Sequence, residues 1–218
     1  MTRQTTKGHC YLCGAVIAKS GFQRHLSSKH PCEEADHQEC VLLRVEDAYE
    51  KIYWLYLDMP LTSTLKTLDA FLREIWLECC GHMSAFFLRD GAEVGKATKL
   101  GTLPTGITLH YEYDFGDTTE LQITLLGTVL RPKQRKAVRL LGRNLPLSFP
   151  CGGCDEDEDY ICCECTAMEE YPFFCQACME SHEHEYALPV VNSPRMGICA
   201  YCGEDDVYEF SDNAEQEK

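Results

Sequence analysis

The 218-residue sequence lacks the signatures of several large protein classes. It has no apolar run approaching the roughly 18 residues that a membrane-spanning helix needs. Residues 1–7 lack the apolar stretch of a secretory signal peptide. The P-loop, the Gly-x-Ser-x-Gly nucleophile motif and the His-Glu-x2-His metalloprotease motif are all missing. We therefore expect a cytoplasmic protein without a membrane segment and without these three kinds of catalytic centre.

Basic side chains are scarce and concentrated in two segments. The chain has 20 Lys and Arg against 35 Asp and Glu, which gives a net charge of −15. Residues 1–32 hold five basic and no acidic residues, and residues 131–143 hold six basic and none acidic. Residues 151–218 hold two basic and 18 acidic residues. The overall acidity argues against wrapping a nucleic acid, whereas the two basic segments allow local contact.

Cysteine, in contrast, is abundant, with 15 residues in the chain. The odd count and the interleaved histidines favour metal ligands and buried thiols over a disulfide framework. Three Cys-x2-Cys pairs and a histidine pair supply what two structural zinc ions need, because each ion takes four donors in a tetrahedron. These eight residues are Cys151, Cys154, Cys162, Cys165, Cys175, Cys178, His182 and His184.

The N-terminal segment has the spacing of a third zinc site. Cys10 and Cys13 are followed after eleven residues by His25, and after four more by His30, which is close to the spacing of a zinc finger with two cysteines and two histidines. Phe22 stands where such fingers bury an apolar side chain. A unit this small cannot fold on apolar contacts alone, so the metal would drive its folding. We predict a finger in residues 1–32 and three zinc ions in the whole chain.

The middle of the chain has the pattern of a compact α+β domain over residues 41–145. Strand-like apolar runs occupy residues 41–45, 52–57 and 85–88, and residues 107–130 alternate as an antiparallel hairpin. A helix should begin at Thr62 or Ser63 and end near Gly81. Residues 131–144 are interpreted as a linker or a short helix. The predicted fold class is α+β, a central antiparallel sheet with a packed helix, flanked by zinc modules at residues 1–32 and 150–203 and by an acidic disordered tail at 204–218.

One block of the middle domain resembles a known family. Tyr111-Glu-Tyr-Asp-Phe-Gly-Asp117, behind the helix and Gly81-His-Met-Ser-Ala-Phe-Phe87, resembles the Ri-plasmid open-reading-frame-three-like family, which is related to insertion-element passenger proteins. The resemblance covers about residues 41–130 and implies an α+β fold and an association with mobile elements. Family members usually continue the block with Trp and His, where Thr119 and Leu121 stand here. Some members carry a cysteine-rich extension that ends like Leu188–Cys199 here.

The C-terminal segment resembles a B-box, in which two zinc ions are bound by interleaved ligand pairs. Carried over, this implies one ion held by Cys151, Cys154, Cys175 and Cys178, and a second held by Cys162, Cys165, His182 and His184. Cys163 is an alternative to Cys162, although only Cys162 gives the two-residue gap. In a sequential alternative, Cys199 and Cys202 would complete a site with His182 and His184.

Other candidate ligands have weaker patterns. Cys32, His37 and Cys40 are secondary metal candidates, and Cys79 and Cys80 at the end of an apolar helix are interpreted as buried thiols. Asp114 and Asp117 could form a carboxylate pair near His82 or His110. Asp and Gly are expected in a hairpin turn, so we interpret this segment as a turn.

The favoured function is a non-catalytic zinc protein that recognises a macromolecule. The finger would contact DNA or RNA through Lys19, Arg24 and Lys29, since it lies in a basic segment. The acidic C-terminal module would repel phosphate and is better suited to a protein partner.

The alternative function is a zinc-dependent hydrolase or deaminase. Deaminases combine a His-x-Glu motif with a Pro-Cys-x2-Cys motif, and both strings occur, at His110 and Glu112 and at Cys151 and Cys154. Against this, the deaminase His-x-Glu opens a helix, whereas residues 107–113 alternate as a strand. Four protein ligands also close a zinc site to water, so the sequence favours a structural role.

Overall fold

The architecture is that of a computed structural model, which describes residues 6–32, 36–133, 136–203 and 208. Its centre is a nine-stranded antiparallel sheet, and the predicted α+β fold class is confirmed. In chain order the strands are β1 (Lys7–Cys10), β2 (Val16–Ala18), β3 (His37–Asp47), β4 (Trp54–Pro60), β5 (Ser84–Phe87), β6 (Glu93–Val94), β7 (Thr108–Tyr113), β8 (Thr119–Pro132) and β9 (Arg139–Asn144). Their order across the sheet is β2-β1-β9-β4-β3-β8-β7-β5-β6.

Two helices cover the sheet, one on each face. Helix α1 (Lys19–Lys29) belongs to the N-terminal finger, and α2 (Leu65–Leu72) continues into a π-helical turn, Arg73–Leu77. A short 3-10 turn, Leu100–Thr102, lies in the connection before β7. Each described helix is too short or too polar to cross a lipid bilayer.

Strand β4 explains how both faces of the sheet are filled. Successive side chains of a strand point to opposite faces. Leu55 and Leu57 therefore join the core under α2, while Trp54 and Tyr56 join a second core under α1. A strand that is covered on both faces has an unbroken apolar run in place of alternation.

The finger continues the central sheet. Strand β1 pairs with β2 on one side and with β9 on the other. The Phe22 ring of α1 stacks on Tyr56 at 4.8 Å and meets Trp54 edge-on at 5.1 Å. A Cβ built on Gly142 would lie 2.0 Å from the Phe22 ring, so the glycine is what permits this close approach. The small unit thus obtains part of its core from the large domain.

Strand β9 corrects the sequence interpretation of residues 131–144. Residues 139–144 are a central strand between β1 and β4, and residues 131 and 132 end β8. A linker or a short helix is therefore wrong for these residues. Arg139 and Arg143 interrupt the apolar pattern by which a strand is recognised in a sequence. The strand can hold them because Asp58 and the Asn192 carbonyl bind their guanidinium groups.

The C-terminal module has its own three-stranded sheet. It consists of β10 (Tyr160–Cys162), β11 (Phe173–Phe174) and β12 (Ala187–Pro189), in the order β11-β10-β12, with helices α3 (Cys163–Ala167) and α4 (Gln176–Glu180). The segment after β12 returns to the central domain, where Asn192 exchanges hydrogen bonds with Asn144. Of the predicted acidic tail, only Tyr208 lies within the described residues.

Candidate metal centres

Cysteine and histidine side chains converge at four places among the described residues. In each cluster, one ligand atom per residue lies within 4.8 Å of all the others. The clusters are Cys10, Cys13, His25 and His30; Cys151, Cys154, Cys175 and Cys178; Cys162, Cys165, His182 and His184; and Cys79, Cys80, His82 and Cys199. Soft thiolates and borderline imidazoles are the donor set of structural zinc, so the chemistry of all four clusters is compatible with that ion.

The spacing of the donor atoms can be compared with a zinc tetrahedron. Zn–S bonds of about 2.3 Å and Zn–N bonds of about 2.0 to 2.1 Å give edges of about 3.8 Å between two sulfurs, about 3.5 Å between sulfur and nitrogen, and about 3.3 Å between two nitrogens. In the N-terminal cluster, Cys10 Sγ lies 3.5 Å from His30 Nε2 and Cys13 Sγ lies 3.5 Å from His25 Nε2. The two Nε2 atoms are 3.3 Å apart. The donors therefore already stand at tetrahedral spacing.

The N-terminal donors come from a turn and from the end of a helix. The Cys13 and Gly14 amides donate to the Cys10 carbonyl, which folds the turn after β1. Burial raises the pKa of Cys10 to about 11, so in the absence of a metal this thiol keeps its proton. Burial also lowers the pKa of His30, which favours the neutral imidazole that a metal binds.

A buried ion network anchors the last ligand of this cluster to the sheet. The Arg131 guanidinium donates to the His30 carbonyl at 2.9 Å and to Asp58 Oδ2 at 3.0 Å. Arg139 donates to the same carboxylate oxygen at 2.9 Å. Asp58 is fully buried, so two guanidinium groups compensate its charge. The finger is thereby held by polar contacts as well as by Phe22.

The first C-terminal cluster is built from two turns that are distant in sequence. Cys154 Sγ lies 3.6 Å from Cys175 Sγ. The Cys175 and Gly153 amides donate to Cys151 Sγ at 3.2 and 3.4 Å. These bonds, that of Cys175 above all, lower the pKa of Cys151 to about 6. The backbone thus stabilises a thiolate, the form that coordinates a metal.

The second C-terminal cluster is interleaved with the first in sequence, because its cysteines precede Cys175 and its histidines follow Cys178. Cys165 Sγ is 3.2 Å from His182 Nε2, and Cys162 Sγ is 3.5 Å from His184 Nδ1. The Cys165 amide donates to Cys162 Sγ at 3.4 Å, while the neighbouring Cys163 lies outside the four clusters. The structure therefore brings together the interleaved sets that the B-box resemblance implies. Cys199 lies in a different cluster, and Cys202 is in none of the four.

The fourth cluster was missed by sequence reasoning. Cys79 is half-buried, Cys80 is exposed, and both adjoin His82 and Cys199, so their interpretation as buried thiols is wrong. The helix ends at Leu77, which places the following residues at the protein surface. The short Cys-x-His spacing from Cys80 to His82 was a local signal for a ligand pair, but its partner is distant in sequence. Hydrogen bonding from His82 lowers the pKa of Cys199 to about 7.

The weaker metal candidates do not assemble. Cys32, His37 and Cys40 belong to none of the four clusters found in the described part of the chain. Cys40 is fully buried on β3, and burial raises its pKa to about 11. It is therefore positioned as a buried thiol.

The basic residues proposed for nucleic-acid contact have different surroundings. The Lys19 ammonium forms an ion pair with Glu46 and donates to the Lys51 carbonyl at 2.6 Å. Arg24 and Lys29 are exposed on α1. In the second basic segment, Arg131 and Arg139 are held by Asp58, and Arg143 donates to the Asn192 carbonyl at 2.6 Å. Four basic side chains of the two segments are therefore bound by other groups of the protein.

The residues of the enzyme alternative are divided between two places. His110 and Glu112 lie on β7, where they pair with Gln122 and Glu120 of β8. Cys151 and Cys154 lie in a cluster with two other cysteines, and His110 is in none of the four described clusters. The strand conformation of residues 108–113 also differs from the helix opening that a deaminase uses.

The Asp114 turn and a neighbouring groove complete the candidate sites. Asp114 has a positive φ of 65° and accepts a hydrogen bond from the Gly116 amide, as a turn residue does. A groove of about 550 Å³ lies beside His82. Its cations Arg73 and Lys96 lie 3.3 and 3.0 Å from Asp69, and Arg73 also lies 2.8 Å from Glu78, so their charges are balanced within the protein.

Comparison with known proteins gives little further information. No family model and no curated protein matches the chain. Among solved structures, a protein of unknown function, MM3350 from Methanosarcina mazei Go1, is 18% identical, with a TM-score of 0.41 over 47% of this chain and 67% of that chain. A likeness of this size carries no argument about function. The resemblance of residues 41–130 to the Ri-plasmid family stays a prediction.

Proposed function

We propose that this protein is a non-catalytic zinc protein in which metal ions hold folded modules in place for macromolecular recognition. The observation that carries the proposal is the composition of the clusters, each of which offers four protein donor atoms within 4.8 Å of one another. A catalytic zinc keeps a coordination position for water or substrate, whereas a structural zinc has all four positions filled by protein. The ions would be structural, and recognition would use the surfaces that they support.

The N-terminal finger is proposed to contact nucleic acid mainly through phosphates. In fingers of this type, the residues at positions −1, 3 and 6 of the helix reach base edges. Counting from Lys19 as the first helical residue, these positions are Ala18, Gly21 and Arg24. Only Arg24 has a side chain that can donate to a base or a phosphate. We therefore favour weak contact with little sequence preference, supported by Lys29 at the end of the same helix.

The C-terminal module is proposed to bind a protein partner with a basic surface. Residues 151–203 contain eleven acidic residues and one basic residue, Arg195, which is fully buried. Among these acidic groups lie the exposed apolar side chains of Met168 and Tyr171, which are 58% and 48% exposed. An apolar centre with acidic surroundings is complementary to a basic protein and repels phosphate. The proposed link to mobile elements depends on the family resemblance alone.

Metal analysis of the protein purified without chelator tests the structural-zinc proposal. We expect at least three zinc ions per chain, and one or none would contradict it. Zinc that exchanges without loss of fold, or that leaves an open position in cobalt-substituted spectra, would point to catalysis instead.

A gel-shift titration at several salt concentrations tests the finger. We expect Arg24→Ala and Lys29→Ala each to weaken binding and to reduce the salt slope by about 1. Lys66→Ala is a matched control, because it removes one exposed positive charge from α2. An equal loss of affinity in Lys66→Ala would assign the effect to net charge. If the wild-type protein does not bind, nucleic acid is not a partner of the finger.

Fluorescence anisotropy with a labelled lysine-rich peptide tests the acidic module. Binding that weakens with salt and with Tyr171→Ser supports a basic protein partner. Tyr49→Ser is the control, since Tyr49 is 73% exposed on the central domain. Equal affinity of the wild type and Tyr171→Ser would contradict the proposal that the surface around Tyr171 binds the partner.

A further inference from the structure

The fourth cluster joins two parts of the molecule that are distant in sequence. Cys79, Cys80 and His82 lie in the connection from the π-helical turn to β5, and Cys199 follows His82 after 117 positions. Cys80 Sγ lies 3.6 Å from Cys199 Sγ, and Cys199 Sγ lies 3.7 Å from His82 Nε2. The corresponding edges of a zinc tetrahedron are about 3.8 and 3.5 Å.

We propose that Cys79, Cys80, His82 and Cys199 form a fourth metal site, for zinc or a similar borderline divalent cation, that fastens the C-terminal segment to the central domain. Three cysteines with one histidine are an established donor set for structural zinc. The inference is independent of what the other three clusters bind. It would also explain why two adjacent cysteines and a histidine lie together at the surface.

A buried arginine contacts one ligand of such a site. Three thiolates, one neutral imidazole and a divalent cation have a net charge of −1. The Arg195 guanidinium donates to Cys79 Sγ at 3.4 Å, and Arg195 is fully buried. A hydrogen bond from a cationic donor to a ligand sulfur stabilises the thiolate and supports the metal from outside its coordination shell. The metal site and Arg195 would thus stabilise each other.

The histidine has the geometry to offer its Nε2 lone pair. Asp114 Oδ2 lies 3.4 Å from His82 Nε2 and 2.7 Å from Arg195 Nη2. The guanidinium and the Gly116 amide already satisfy this carboxylate. Asp114 would thus keep two donors when His82 binds a cation through Nε2, the atom that lies 3.7 Å from Cys199 Sγ.

The site would fix a segment that has little regular structure of its own. After β12 the described residues run to 203 without a helix or strand. They are attached to the central domain by polar bonds, such as that from Ser193 Oγ to the Trp76 carbonyl at 2.7 Å. A metal bridge at Cys199 would close this attachment at its far end. Its loss should release residues 196–203 while the other metal clusters stay intact.

Metal content measured by plasma mass spectrometry tests the proposal. Wild-type protein should bind one ion more than Cys80→Ser and one ion more than Cys199→Ser. Cys202→Ser is the matched control, because Cys202 is exposed, lies three residues from Cys199 and is outside the cluster. Equal metal content in Cys80→Ser and wild type would overturn the fourth site. Failure of the proposed function would give a different result, namely wild-type protein without the ions of the other three clusters.

Thiol protection in the wild type provides a second test that does not depend on the folding of a variant. Cys80 and Cys202 are both exposed, so iodoacetamide can reach both. Hydrogen bonds with Cys199 and Cys79 raise the pKa of Cys80 to about 11, so the rate of each thiol is compared with its own rate after chelation. In metal-loaded protein, we expect Cys80 and Cys199 to be protected and Cys202 to react, with protection lost on chelation. Equal reaction of Cys80 and Cys202 would overturn the proposal. Recovery of a Cys80–Cys199 disulfide in place of the metal would also overturn it.

Discussion

The Arg195 guanidinium lies 2.7 Å from the Asp114 carboxylate, although 81 residues separate them in the chain. Arg195 also donates to Thr119 Oγ1 at 3.0 Å and lies over the Tyr113 ring at 4.8 Å. Burial acts to raise the pKa of Asp114, but the hydrogen bond from the guanidinium and those from the Gly116 and Asp117 amides together outweigh it, and the pKa is lowered. The turn between β7 and β8 is therefore coupled to the segment that follows the C-terminal module.

Replacement of Arg195 should be strongly destabilising. Arg195→Met keeps much of the volume but leaves Asp114 without its counter-charge, and breaking a buried pair costs about 3–5 kcal/mol. The free energy of unfolding, measured with urea at constant zinc, checks this. Arg89→Met is the control, because Arg89 is exposed. A loss below about 1 kcal/mol would show that the pair is not desolvated as the structure indicates.

Asp58 should matter far more to stability than an exposed carboxylate of the same chemistry. Asp58→Asn removes the charge that compensates Arg131 and Arg139, at an expected cost of about 3–5 kcal/mol. Asp36→Asn is the matched control, because Asp36 forms its ion pair with Lys133 at the surface. Exposed pairs contribute about 0–1 kcal/mol. The urea midpoint of unfolding at pH 7 is measured for both variants. Equal shifts in Asp58→Asn and Asp36→Asn would contradict the buried network.

Gly142 should be intolerant of even one methyl group. Gly142→Ala places a Cβ 2.0 Å from Phe22 and 2.9 Å from the His9 carbonyl, so α1 must move away from the sheet. We expect a loss of about 1–3 kcal/mol, as for overpacking of a core, with faster zinc exchange from the N-terminal cluster. Gly95→Ala is the control, since nothing lies within 4 Å of its added Cβ. Thermal unfolding measures the loss of stability, and a zinc-exchange assay measures the rate of exchange. Equal stability and exchange rates in Gly142→Ala and Gly95→Ala would argue against the packing of α1 on the sheet.

Loss of metal from the N-terminal cluster should expose Trp54. This indole is fully buried under Phe22 and donates to Thr6 Oγ1 at 2.6 Å. In a Trp76→Phe background, Cys13→Ser should shift the emission to longer wavelength and increase iodide quenching. Cys32→Ser removes a thiol outside the cluster and should leave the emission unchanged. An unshifted Cys13→Ser spectrum would mean that the finger stays docked without its ion.

Local patterns in the sequence were sufficient for features whose physical cause is local. The Cys-x2-Cys turns and the position of Phe22 before His25 indicated a finger, because a short loop delivers two donors to one ion. The hairpin over residues 107–130 followed from alternation, and β7 and β8 pair as predicted. Apolar spacing likewise placed the helix that begins at Leu65.

Contacts between distant segments decided the rest. Cys79 and Cys80 looked like buried thiols because their partner Cys199 is more than a hundred residues away and comes close only when the C-terminal segment docks. The basic run of residues 131–143 suggested a linker or a nucleic-acid contact, yet Asp58 and Asn192 bind three of its arginines. The sequence by itself determined which side chains can bind metal and where the main strands form. Tertiary structure alone decided which donors meet and which charges remain at the surface, because burial and pairing depend on neighbours that the local sequence does not specify.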